Sequence, residues 1–224
     1  MKIVSVVSQK GGSGKTTLSV HLAAYASKEG KAVALLDLDP QGSSYSWFTT
    51  RDNSNELAAT KTNHEELPSI LQKLKEANAD LVIIDTAPHS NNSAAAAVEL
   101  ADFVLVACRP SRFDLEAVVN TMDIIDLTKP TPNHAVLINC APPVGNLGEE
   151  ARGVLEGQGY PVLTSVLCNR VAYNYAVTDG RSVDEYEPEG KAALEIKRLY
   201  KELDKVWKYG KEYFHTKKGG QNVA

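Results

Sequence analysis

The chain has 224 residues, 43% hydrophobic and 23% charged, with a formal net charge of −4, which suits one substantial core in a single domain. No window of about 18 uninterrupted apolar residues occurs, and the first residues run into a strand instead of a signal-peptide pattern, so a cytoplasmic protein is expected. The three cysteines, Cys108, Cys140 and Cys168, lack zinc or iron–sulfur spacing and read as reduced thiols at strand ends.

Lys2–Ser8 (KIVSVVS) is short, β-branched and apolar, which predicts a buried strand, and Thr16–Ser27 has the period of a helix. The Gly-rich stretch Ser8–Thr17 (SQKGGSGKTT) therefore joins a strand to a helix. Ala32–Leu36 and Leu81–Ile84 repeat the strand signal, each followed by an aspartate, with a helix predicted over Leu67–Ala77 between them. Phe103–Ala107 and Ala135–Asn139 are further strands flanking a helix over Leu115–Leu127. The alternation predicts an α/β fold, an open and mostly parallel central sheet with helices on both faces and ligands outside the carboxyl ends of the strands. From Ala192 the apolar residues Ile196, Leu199, Tyr200, Leu203, Val206 and Trp207 fall on one helical face. One domain over residues 1–209, including a basic C-terminal helix at about 190–209, is expected to be followed by a flexible basic tail, 210–224.

Charge is unevenly spread. Residues 191–224 hold nine Lys+Arg against four Asp+Glu, leaving fifteen against twenty-four for the rest of the chain. A basic end on an acidic body suits a phosphate-bearing partner, either nucleic acid or an anionic membrane.

Backbone N–H groups from Gly11 to Thr17 can wrap a polyphosphate only where bulky side chains are absent, which accounts for Gly11, Gly12 and Gly14 around Ser13. Lys15 is placed to reach the β- and γ-phosphates and the Thr16 hydroxyl to hold a magnesium ion, so ATP and Mg2+ are the expected cofactors. The ordinary pattern has a glycine five residues before Gly14, where this chain has Gln9. A second lysine, Lys10, stands at the loop entrance; aimed at the same phosphates from within one chain it would crowd like charges.

The run K-G-G-x-G-K-T-T at Lys10–Thr17 resembles the deviant phosphate loop of the ParA/MinD family of ATPases. Asp37–Gly42 (DLDPQG) resembles that family's switch segment, and Asp85–Pro88 (DTAP) its Walker B segment. Gln158–Leu163, Arg170–Tyr173 and Asp179–Val183 are similar to small ParA partition ATPases of the ParF type, so the resemblance extends from residue 2 to about 207. It implies a SIMIBI-type P-loop NTPase fold and slow hydrolysis of ATP to ADP and phosphate. It also implies that Lys10 crosses the interface of an ATP-bound homodimer to the partner's phosphates, relieving the crowding. By the same resemblance Asp39 orients the attacking water, Asp85 holds magnesium through a water, Asn139 contacts the base and Arg170 touches DNA. A ParB-like centromere-binding protein or another cargo adaptor would accelerate turnover, as basic residues inserted in trans do for other NTPases.

Lys197, Arg198, Lys201, Lys205 and Lys208 occupy the polar side of the last helix. Two such helices in a dimer would give a doubled positive surface for sequence-independent DNA contact. A MinD-like membrane attachment is the alternative, suggested by Trp207, Tyr209, Tyr213 and Phe214 among lysines; Gly210 interrupts that stretch and no long apolar face follows, so no membrane partner is expected. A small-molecule enzyme on the same fold, like the dethiobiotin synthase relatives, would need a second substrate pocket with a charged anchor that the sequence does not supply. The expectation is a nucleoid-associated ATPase that positions or segregates a plasmid, a chromosome or other cargo. Operator binding is not expected, since the first strand begins at Lys2.

Overall fold

A computed structural model describes residues 1–51, 57–88, 90–129, 133–210 and 212–214. Seven strands, β1 (Lys2–Val7), β2 (Val33–Asp37), β3 (Leu57–Lys61), β4 (Leu81–Asp85), β5 (Phe103–Cys108), β6 (His134–Ala141) and β7 (Val162–Cys168), form one sheet in the order β3-β2-β4-β1-β5-β6-β7. All neighbouring pairs are parallel. Side chains alternate between faces along each strand. Val4, Leu35, Ile83 and Leu105 pack against α1 (Lys15–Lys28), α2 (Ser43–Thr49), α7 (Val171–Thr178), α8 (Val183–Tyr186) and α9 (Lys191–Tyr209). Val7, Val104, Leu36, Val82 and Ile84 pack against α3 (Leu67–Glu76), α4 (Asn91–Leu100), α5 (Arg112–Thr128) and α6 (Leu147–Gly157). With both faces covered, a strand has no polar side, which is why the central runs are apolar throughout.

Two strands lie outside the sequence expectation, and both are at the sheet edges. In β3 only Leu57 is buried. In β7 the apolar run is interrupted by Thr164 and Ser165, which bulge out of register with β6. The backbone N–H groups of both residues donate to Glu202 of α9 (each 2.7 Å), and the N–H of Cys168 donates to Glu195, two helical turns earlier (3.1 Å). Two carboxylates thus take the place of an eighth strand. Burial alone would raise the Glu202 carboxyl; hydrogen bonds from Ser165, Thr164 and Tyr213 outweigh it and hold the group down at about 2.

Within the stretch expected to be a flexible tail, residues 212–214 form a helical turn. Tyr213 is buried and its hydroxyl donates to Glu202 (2.7 Å), so the chain stays docked past residue 209; the expectation for residues 215–224 lies outside the described residues. Trp207, Tyr209 and Phe214 pack against the same core.

Helix α1 runs through the interior, and its His21 is fully buried beside Tyr173, with Nδ1 accepting from the N–H of Val183 (3.2 Å). Burial pushes this imidazole down to about 3, so it is neutral in the folded protein. A base whose folded value lies below its unfolded value near 6.5 binds its proton preferentially in the unfolded chain, so stability falls as pH drops below about 6.5. Denaturant unfolding of the wild type should therefore lose about 2 kcal/mol more between pH 6.5 and 5 than His21→Asn, which keeps an acceptor for Val183 and does not titrate. Equal losses in the two proteins would exclude His21 as the source.

Candidate nucleotide site

The loop between β1 and α1 crosses the carboxyl ends of the central strands. Gly12 and Gly14 have φ of 74° and 82°, a region that side-chain-bearing residues enter at a cost. Gly14 is further constrained by space: a Cβ there would lie 2.4 Å from Asn139 Nδ2 and 3.2 Å from Cys140 Sγ. Asn139, near the end of β6, donates from Nδ2 to the carbonyl of Ser13 (2.8 Å), and its Oδ1 accepts from the N–H of Cys140 (3.0 Å). On the other flank the N–H of Gln9 donates to Thr121 Oγ1 of α5 (3.2 Å). The loop is held from both sides, and N–H groups at the start of a helix such as α1 are the kind that bind phosphate.

The two lysines of the loop occupy different surroundings. Lys15 is buried, 6% exposed; burial lowers its affinity for the proton, against the pull of Asp85 and Asp39. Lys10 instead lines an open cavity of about 590 Å³ with Gln9, Asn91, Phe113, Asn120 and Asp123. Among the described residues no carboxylate pairs with its ammonium within 4.0 Å.

Asp85 ends β4 with no exposure and sits in register with Asp37 of β2. Burial pushes the Asp85 carboxyl up to about 7; Asp37 adds to this, while Thr16 and Lys15 act in the opposite direction. Its Oδ1 accepts from Ser19 Oγ (3.2 Å), whereas its buried Oδ2 meets no donor within hydrogen-bond geometry among the described residues. A dehydrated carboxylate with one unsatisfied oxygen beside the Thr16 hydroxyl fits a hard divalent cation such as Mg2+, whose charge would keep it ionised. Asp37 has a different task. Its Oδ1 accepts from the N–H of Asp39 (3.0 Å) and its Oδ2 from the N–H of Tyr45 (2.9 Å), shaping the Asp39–Gly42 turn. Asp39 is half-buried, and one of its carboxylate oxygens accepts from the N–H of Gln41 (2.9 Å).

Residues 4–183 match the family model described as the CobQ/CobB/MinD/ParA nucleotide binding domain. The chain belongs to this family. Among its relatives, Maintenance of carboxysome distribution protein A of Gloeobacter kilaueensis is 33% identical over 214 residues, covering 92% of this chain and 96% of that one. Chromosome-partitioning ATPase Soj of Thermus thermophilus is 25% identical over 234 residues, covering 89% and 94%. Among solved structures, apo McdA from Cyanothece superposes with a TM-score of 0.77 at 16% identity over 91% of this chain and 99% of that one, a likeness of fold.

The structure gathers the phosphate loop, Lys15, Thr16, Asp39 and Asp85 at the ends of β1, β2 and β4. Asn139 lies there too, with its amide engaged by the loop and its own neighbour; it also borders a small cavity with Thr17, Cys140, Cys168 and Asn169, beside the start of α1. Arg170 is tied to Glu195, its Nε at 2.8 Å and Nη2 at 2.6 Å from Oε1. It borders that small cavity and also lines a cavity of about 620 Å³ with Arg198, Lys201 and Lys205; Lys197 is exposed but does not line the larger one. Sequence reading missed Arg109, whose guanidinium lies beside Gly12; a lone arginine after an apolar strand carries no periodic signal. Gly14→Ala should weaken ATP binding at least ten-fold, since the new methyl group must displace the Asn139 amide and hold a left-handed backbone. Titration with a fluorescent ATP analogue would measure this, and unchanged affinity would show that the loop is not the binding element.

Proposed function

We propose that this chain is an ATP-switched dimer that binds DNA without sequence preference and uses that binding to position or segregate a large cargo. It is a ParA/MinD-family positioning ATPase that uses ATP and Mg2+. The observation that carries the dimer reading is the separation of the two loop lysines: Lys15 is buried among Asp85 and Asp39, while Lys10 lines an open cavity at the loop entrance. Lys15 serves the nucleotide of its own chain, and Lys10 is available to that of a second subunit.

Hydrolysis requires an in-line water, charge neutralisation and little covalent help from the protein. Bound magnesium would supply charge neutralisation at the phosphates, with Thr16 and Asp85 as its holders. Lys15 stabilises the charge that develops on the phosphoryl oxygens. Asp39 accepts a hydrogen bond from the water and orients it, its position set by Asp37 through the backbone of the turn. Loss of the terminal phosphate removes the charge that Lys10 bridges, and the subunits part.

The exposed cations Lys197, Arg198, Lys201 and Lys205 of α9 support DNA as the surface partner. The aromatics that would have inserted in lipid support it as well, because Trp207, Tyr209, Tyr213 and Phe214 are used to pack α9 and the following turn on the core. No helix of the described residues is long and apolar enough to cross a membrane. Arg170 contributes through the same cavity, held by Glu195. An adaptor, ParB-like or otherwise, would link the dimer to its cargo and accelerate hydrolysis. The higher identity to the carboxysome-distribution relative than to the chromosome-partitioning one, 33% against 25%, makes a protein compartment the first cargo to test and a plasmid or chromosome the next.

Light scattering in ATP and Mg2+ should find the wild type as a dimer and Lys10→Ala as a monomer that still binds nucleotide, while Asp39→Ala stays dimeric and ceases to hydrolyse. Full dimerisation of Lys10→Ala would refute the shared-site mechanism. In co-sedimentation, the ATP-bound wild type should be retained by DNA and ignored by anionic liposomes. The double substitution Lys201→Glu and Lys205→Glu should abolish retention, and the residual binding of each single variant should be less salt-dependent. Retention by liposomes in place of DNA would favour a membrane-associated positioning ATPase.

A further inference from the structure

A third cation stands beside the two lysines of the phosphate-loop motif. The third, Arg109, directly follows β5, the neighbour of β1 in the sheet. Its Nε donates to Asp114 Oδ1 (2.9 Å) and its Nη2 to Asp114 Oδ2 (3.2 Å). Asp114 is itself buried, receives the hydroxyl of Ser111, and stands in the first turn of α5, so its carboxylate is fixed by the helix. A planar fork held through two of its three nitrogens cannot swing away as a lysine would.

The third nitrogen, Nη1, points to the loop. It lies 3.6 Å from the place a Cβ at Gly12 would take and, apart from Gly12 and its two chain neighbours, is the one atom of the described residues within 4 Å of that point. The side chain is 36% exposed, so the arginine is partly open to solvent. An ion pair that served only to fasten α5 to β5 would be complete with the two bonds to Asp114. Here the pair is neutral as a whole but polarised, with the carboxylate at the helix and the positive edge beside a glycine of the phosphate loop.

We infer that Arg109 is a further nucleotide-binding residue, giving a phosphate contact from the end of β5 to the nucleoside polyphosphate held by Lys10–Thr17, with Asp114 as the residue that positions it. This deepens the nucleotide site proposed above and rests on that reading of the loop. The contact adds one charge-assisted hydrogen bond whose geometry is set before the ligand arrives.

The test is titration of a fluorescent ATP analogue in the Lys10→Ala background, so that binding is read without a second subunit, at several salt concentrations and with the unfolding temperature of each variant recorded. Arg109→Gln should bind about ten-fold more weakly and with a shallower salt dependence. Arg109→Lys keeps a charge to pair with Asp114 but loses the fork, and should fall between the two with little change in unfolding temperature. If Arg109→Gln is too unstable to titrate, the Arg109→Lys result decides. Affinity and salt dependence equal to the parent in the folded variants, with or without a lower unfolding temperature, would assign Arg109 to fastening α5 alone and overturn the inference. Lys15→Ala separates the two readings: it should abolish binding, and if it does not, the nucleotide site itself has been misplaced.

Discussion

The site depends on one electrostatic constraint, the burial of a lysine among carboxylates at the ends of parallel strands. Lys15 is nearly without solvent, and desolvation works against its charge. Asp85, wholly buried at the end of β4, the neighbour of β1 in the sheet, is under the opposite strain, its proton held more tightly because water is absent. Neither charge is fully compensated by the protein. A polyphosphate with a divalent cation supplies both missing signs at once, giving a site of this kind a strong preference for the two together.

The loop meets this constraint because its flanks are held. Asn139 braces it from β6 and Thr121 from α5, so the strand-to-helix turn keeps its N–H groups directed at the ligand before the ligand arrives. The same economy shapes the turn after β2, where Asp37 uses both oxygens on backbone donors and so fixes the place of Asp39. Two aspartates only two positions apart differ in what they touch: both oxygens of Asp37 are taken by backbone donors, whereas Asp39 holds the N–H of Gln41 through one of its oxygens.

Much of the architecture could be read from the sequence because buried parallel strands leave an unmistakable trace. The runs Lys2–Ser8, Leu81–Ile84 and Phe103–Ala107 are apolar on both faces, and each proved to be a central strand. The edge strands left no such trace: β3 has one buried residue, and β7 carries hydroxyl residues where its bulge meets α9. At the site, the glycines, Lys15 and Thr16 were legible since a phosphate loop needs those residue types at that spacing. Arg109 and the bracing role of Asn139 were not, because each acts through a contact between segments more than ninety residues apart in sequence. The docking of Tyr213 was hidden for the same reason: its partner, Glu202, is an ordinary polar-face residue until the bulge in β7 is seen.

The pair Glu195 and Glu202 also bears on how this protein can assemble. By occupying the backbone donors of the outermost strand, these side chains close that margin of the sheet to another chain, so no polymer can grow there by adding strands end on end. A second chain must therefore meet this protein on some surface other than that margin.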